Sequence, residues 1–563
     1  MKRSRRLVSA AMAAALLLAG CGNQWGNSAG MDGAGDDREL KGYDINPQPR
    51  EKVKDGGTLR WGINEFPTQW NRNHVDGNLA MAAVVSNALL PGPFVSNEKA
   101  EISVDTDYVL DARVTSQKPK QVVTYRLNPK ARWSDGKPIT WADYRAQWQA
   151  LNGRDPDYRI VSSTGYQDIE KVARGKDDYE VVVTFERPFG DWQALFGPLL
   201  PASTNRDPES FNTAWLNKIP VTAGPFKFGG FDQTAKTITL VRDDNWWGRR
   251  AKLDRIIFRA SEQDSLISAF GNGELDIIDI GPSAPDYARA KATTGAQVRT
   301  AAGPDFRHFT FNGSSALLSD VRVRQAIQLG INRQAIAQSD LQGLDWPITV
   351  LNNHFFMNTQ EGYQDNAGEL GVYDPEKAKQ LLDAAGWKLN GQVRQKQGRT
   401  LELRFVVPSG VQISKAEGEL AQSMLAQIGV KLTIKAVPSD DFFTKYVIPG
   451  NFDITPFAYI GTPFPVSSSY GIYANATNGK NWNANFGRSG SPEIDQAMSR
   501  AAQSLDPAQA RALTNEADKL LWPLVNVLPL YQRPQMVAVR ATLANVGARG
   551  FFDLQYEDIG FTA

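Results

Sequence analysis

The stretch Trp133-Ser134-Asp135-Gly136-Lys137-Pro138-Ile139-Thr140-Trp141-Ala142-Asp143 decides how this chain is read. Asp135-Gly136 is a turn pair, because glycine takes a positive φ at no steric cost. Thr140 stands where a helix N-cap belongs, and Asp143 three residues on completes a capping-box pattern. Upstream, Val122-Val123-Thr124-Tyr125-Arg126-Leu127 is rich in β-branched and aromatic residues and reads as a strand. The unit is therefore strand, turn and capped helix, the helix running over about 141–151.

The same grammar recurs on both sides. Gly56-Gly57-Thr58-Leu59-Arg60-Trp61-Gly62-Ile63 is a turn entering a strand, and Ile256-Ile257-Phe258 is a buried strand run. Asp320 caps a helix whose apolar face is Val323, Ile327 and Ile331. Asp374-Pro375-Glu376-Lys377-Ala378 opens another, with Ala378, Leu381, Leu382 and Ala385 on one face and Gly386 at its end. Leu420, Met424, Leu425 and Ile428 line a further helix, and Val430 to Ile434 is the strand after it. Helix followed by strand, repeated, is an α/β pattern.

The N-terminus addresses the protein. Lys2, Arg3, Arg5 and Arg6 precede an apolar run from Leu7 to Leu18, too short to span a bilayer, and then Leu18-Ala19-Gly20-Cys21. Small residues before the chain's single cysteine form a lipobox, similar to those of bacterial lipoproteins. The similarity implies a signal peptide over 1–20, cleavage before Cys21 and lipid on its sulfur. Loss of the four basic residues shifts the formal charge from +1 to −3. No basic tract points to nucleic acid. Residues 21–55 are Gly-, Asn- and Asp-rich without apolar period and read as a flexible linker. The rest of the 563 residues exceeds one ordinary core, so two lobes are expected.

The W-S-D-G-x-P-x-T element resembles the signature of the extracytoplasmic solute-binding proteins of peptide ABC importers, the oligopeptide/dipeptide/nickel-binding family. Thr222-Ala223-Gly224-Pro225-Phe226, Arg242-Asp243-Asp244-Asn245-Trp246-Trp247-Gly248, Gly273-Glu274-Leu275-Asp276, Val321 to Ile327 and Tyr373 to Trp387 resemble further motifs of that family, in its order. The resemblance covers about 56–560. It implies an α/β, two-lobed periplasmic-binding-protein fold of the class II, cluster C type. Lobe I would span 56–303 with an extra subdomain at about 76–200, lobe II 304–528, and 529–563 would return to lobe I. A hinge of crossing strands would join the lobes, with Trp522-Pro523 to Tyr531 as the return crossing. The implied function is capture of a peptide or peptide-like solute between the lobes and delivery to permease subunits. The implied protein is a monomer tethered through Cys21 at the extracytoplasmic face of the membrane, with no cofactor or bound metal and no enzymatic activity.

Candidate ligand contacts are Trp70 and Asn71 in the loop after the first strand, Gly224, and Tyr459, Thr462 and Trp482 in aromatic and amide-rich loops of lobe II. One departure bears on the ligand. Peptide-binding relatives carry W-x-A-D-Y-x-x-P, whose aspartate takes the ligand's ammonium. Here the matching segment is Phe457 to Pro465, the aspartate's place falls on Gly461 or Thr462, and no carboxylate lies between Asp453 and Glu493. A different acid then anchors the amine, or the solute is not held by a free N-terminus; a sugar, siderophore or metal chelate on the same fold is the alternative, as is a sensing receptor that does not transport. His74, His308 and His354 are far apart and form no metal-ligand spacing, and no phosphate-loop pattern occurs.

Overall fold

The structure, a computed structural model, describes residues 38–476, 479 and 482–562. The signal segment and Cys21 lie outside the described residues. From lobe I come β1 (Thr58–Ile63), α1 (Ala80–Ser86), β2 (Val109–Ser116), β3 (Val122–Leu127), α2 (Trp141–Leu151), β4 (Ile169–Arg174) and β5 (Glu180–Phe185). Then follow β6 (Phe226–Asp232), β7 (Thr237–Arg242), β8 (Arg255–Ala260), β9 (Ile277–Asp279) and the long β10 (Ala296–Phe311). The second lobe holds α3 (Val321–Leu329), α4 (Arg333–Asp340), α5 (Pro375–Ala384), β11 (Glu402–Pro408), α6 (Gln412–Ala426), β12 (Lys431–Val437) and β13 (Ile454–Ile460). It ends with α7 (Pro465–Tyr473), α8 (Pro492–Gln503) and α9 (Pro507–Leu524), before β14 (Val527–Arg540) runs back.

Ten strands form one mixed sheet in the order β12-β11-β13-β10-β14-β9-β1-β8-β7-β6. The parallel neighbours β12-β11-β13 and β9-β1-β8 lie on either side of the β10–β14 pair, as the helix–strand alternation requires. Among the described residues, only β10 and β14 belong to both halves. Their antiparallel register runs from Ala296↔Arg540 to Ala302↔Pro534, breaks, and resumes from Phe306↔Gln532 to Thr310↔Val527. The first part pairs onward through β14 to β9, the second through β10 to β13. A separate four-stranded antiparallel sheet, β2-β3-β5-β4, with α2 forms the subdomain on lobe I. It has its own core of Tyr125, Trp133, Tyr144, Phe185 and Phe196.

The motifs act as fasteners. Thr140 and Asp143 form the expected capping box, Thr140 N–H donating to Asp143 Oδ2 at 2.9 Å. Ser134 N–H donates to Thr222 O (2.7 Å) and Thr222 N–H to Ser134 Oγ (3.0 Å), while the Trp246 indole donates to Ala223 O (3.0 Å). Three of the quoted motifs thus bind one another at the joint between subdomain and lobe. Asp276 grips Arg60 of β1 at 2.5 Å, beside Gly273 at φ +80°.

Two expectations are corrected. Residues 41–53 are not a free linker: Lys41 O accepts from Ala302 N–H (2.7 Å), Asp44 pairs with Ala548, Val53 with Thr562, and Ile45 and Val53 are buried. The strap is extended and held by backbone bonds, so it carries no apolar period to read. The return crossing also starts later: Trp522 and Pro523 finish α9, and the strand begins at Val527 after Val525 turns at φ +54°. A proline near a helix C-terminus can keep helical φ, so it does not mark the strand's start.

Candidate ligand cleft

Where the β10–β14 register breaks, three residues, Gly303, Pro304 and Asp305, face the single Arg533. Arg533 pairs with Asp305, and Gln532 Nε2 donates to Gly303 O at 2.8 Å. A side chain at 303 would put its Cβ 2.8 Å from Arg533 O, so glycine is what lets the strands come this close. Among the described residues β10 and β14 are the strands shared by both halves of the sheet, so this irregular step is the candidate hinge: backbone adjustment there would be concentrated in a few residues.

Away from the hinge the lobes touch through the subdomain. Gly190 N–H donates to Ala502 O (2.6 Å), Ser467 N–H to Asp191 Oδ2 (3.1 Å), and Glu361 N–H to Lys99 O (3.2 Å). Between these contacts lies a cavity of about 280 Å³ with Trp192, Phe356 and Phe464 on its walls and Lys99, Glu361 and Arg511 among its charges. Arg511 pairs with Glu361 at 3.1 Å. Burial between the lobes raises the Asp191 carboxyl above its ordinary value. Lobe I has a cavity of its own, about 210 Å³, lined by Arg72, Asp105, Asp107, Tyr108, Asp553 and Glu557. Burial raises all four carboxyls there, Asp105 to about 7. Both spaces are rimmed by charge and walled by rings, which suits solutes that carry charge and apolar groups together.

The expected contact residues separate into two groups. Trp70 is 1% exposed and stacks on Phe231 at 5.5 Å inside lobe I. Asn71 is fully buried, donating to Phe211 O (2.9 Å) and accepting from Asn73 N–H (3.0 Å). Gly224 is buried where a Cβ would meet Ala88 O at 2.3 Å. These three are buried within lobe I and hold it together: a polar-aromatic loop supplies buried anchors as readily as exposed contacts. Tyr459 and Thr462 stand at the hinge end of lobe II. The Tyr459 ring lies flat on His308, centroids 4.3 Å apart. Thr462 O accepts from Gln360 Nε2 (3.0 Å), its Oγ1 accepts from Phe464 N–H (3.0 Å), and Gly461 N–H donates to Pro304 O (2.6 Å). Trp482 is half-buried, and its carbonyl receives Asn485 N–H at 2.8 Å. The interlobe residues Gly190, Asp191, Ser467 and Ala502 were not among the candidates. Gly190-Asp191 is legible as a turn, but its partners lie nearly 300 positions on and leave no local signal.

The family described as "Bacterial extracellular solute-binding proteins, family 5 Middle" matches residues 109–481. The chain belongs to that family. Among family-5 relatives, the oligopeptide-binding protein OppA of Mycobacterium tuberculosis is 42% identical over 553 residues, 97% of this chain and 92% of that one. Among solved structures, the periplasmic EDTA-binding protein EppA superposes with a TM-score of 0.84 at 25% identity, covering 94% of this chain and all of that one. The oligopeptide-binding protein AppA of Bacillus subtilis, in complex with a nonapeptide, gives 0.74 at 19% identity, covering 91% and 100%. The two-lobed α/β architecture is thus that of family-5 solute-binding proteins. Among the described residues, no helix is long and apolar enough to cross a membrane.

Proposed function

We propose that this chain is the substrate-binding component of an ABC importer. It is held by lipid on Cys21 at the extracytoplasmic face of the cell membrane and works as a monomer without a cofactor. It takes a peptide-like solute between lobe I (56–303 and 529–563) and lobe II (304–528) and hands it to the permease subunits. The observation that carries this reading is the near full-length likeness to an oligopeptide-binding protein, at 42% identity. The hinge supports it: two strands joining two lobes let a solute be enclosed, and contacts made only in the closed form stabilise closure. Tyr459, Thr462 and Trp482 are its proposed lobe II contacts.

Titrating the ligand-stripped protein calorimetrically with pools of three- to nine-residue peptides tests the solute class. Saturable binding with a negative heat-capacity change is expected; no heat with any pool overturns the peptide reading. Cys21→Ala tests the tether: the variant is expected to leave the membrane fraction, and its retention there contradicts lipid anchoring.

A second reading, a non-peptide solute on the same frame, is favoured by one observation: the segment between Asp453 and Glu493 offers no carboxylate to a ligand ammonium. The likeness to an EDTA-binding protein accords with it. Heat with a carboxylate chelate and none with peptides would decide for it.

A further inference from the structure

Two helices of lobe II are left incomplete by their own sequence. Helix α7 begins at Phe464-Pro465, and Phe464 has no side chain able to accept from the first turn, so its orphan N–H groups lack a local cap. Helix α8 ends at Gln503, and the carbonyl of Ala502 belongs to its last turn, where intrahelical partners run out. Both deficits are met from the other lobe. The Asp191 carboxylate accepts from Ser467 N–H, the third residue of α7, at 3.1 Å, the bond an N-cap side chain would make. The adjacent Gly190 N–H donates to Ala502 O at 2.6 Å. The signs match the helix dipoles: a negative group meets an N-terminus and a positive N–H a C-terminus.

Position 190 also has no room for a side chain. A Cβ there would lie 2.3 Å from Ser504 O, a backbone atom that cannot swing away. The only side-chain hydrogen bond of Asp191 among the described residues is the one to Ser467, so its carboxylate does no comparable work within lobe I.

The geometry points to the Gly190–Asp191 tip as a latch that completes α7 and α8 only when the lobes meet, and so sets how long a captured solute is held. The first half of that statement stands on the contacts alone; the second rests on the solute-binding function proposed above. Because the contacts need no solute, the latch fixes the closed population of the empty protein, and a solute adds to it.

The test is the distance between two spin labels, at Gln117→Cys on the subdomain and Ser423→Cys on α6, both exposed. They are placed in the full chain with Cys21→Ser, which leaves the labels as the only thiols. In the empty protein, Asp191→Ala and Gly190→Ala are expected to raise the longer-distance population about two- to thirtyfold, the range for loss of one cap. Asp191→Asn, which keeps an acceptor without the charge, is expected to fall between. An unchanged distance distribution in both Asp191→Ala and Gly190→Ala, with unaltered circular dichroism, overturns the latch. Release of a fluorescent nonapeptide pool is expected to quicken by the same factor. Shifted distances with no peptide retained even by the unsubstituted tip would support the latch and count against the function.

Discussion

Trp70 fills the space against Phe231 in lobe I and is 1% exposed. Trp70→Ala is therefore expected to cost about 3 to 5 kcal/mol of stability, seen as a lower urea midpoint, with solute affinity of the folded fraction unchanged. A second residue-scale prediction concerns Asp340. It receives the Tyr531 hydroxyl at 3.0 Å beside the buried Arg307–Glu417 pair. Burial first, and then the Glu417 charge, push its carboxyl up to about 8. The folded protein thus holds a proton there that the unfolded chain releases near pH 4. Between those values the folded state binds more protons, so stability falls as pH rises. The contribution is whole below about pH 4 and lost as pH climbs through about 8. Asp105, at about 7, slopes the same way over a lower window. Asp340→Asn is expected to flatten the upper part of this profile in unfolding midpoints measured from pH 5 to 9; an unchanged slope would refute the assignment.

At the scale of elements, the helices were legible wherever caps are local. Thr140, Asp320 and Asp374 each accept from the first turn of the helix they begin, as their spacing in the sequence implies. Thr140→Ala is expected to cost about 1 kcal/mol, with the urea slope unchanged because the surface exposed on unfolding is the same. Strands were legible where β-branched and aromatic residues cluster, as in β3 and β8. What escaped was structure made by partners distant in sequence. The strap at 41–53 is held by Ala302, Ala548 and Thr562, and none of those bonds shows in its own composition. Helices α7 and α8 are completed by Gly190 and Asp191 for the same reason. The depth of Trp70 and Asn71 was not legible, because residue type reports chemistry and not burial. The family motifs pointed correctly to the fold, yet those around Ser134, Thr222 and Trp246 bind one another and form a joint rather than a ligand surface.

For the whole molecule, everything turns on two strands. The ten-stranded sheet is continuous through β10 and β14, and their register breaks at Gly303 to Asp305, the candidate hinge. Gly303→Ala forces a Cβ within 2.8 Å of Arg533 O. It is expected to cost about 1 to 3 kcal/mol by overpacking and to shift the interlobe distance, read with the same pair of labels. A stability loss with no change in distance would move the hinge elsewhere. The central claim is that the lobes enclose a peptide-like solute. Its most direct test is mass spectrometry of what co-purifies with protein lacking residues 1–21, released by denaturation. Short intact peptides are the predicted recovery. A saturating non-peptide solute in their place, with no peptide found, would contradict the claim and mark the segment around Gly461 and Thr462 as the seat of a changed specificity.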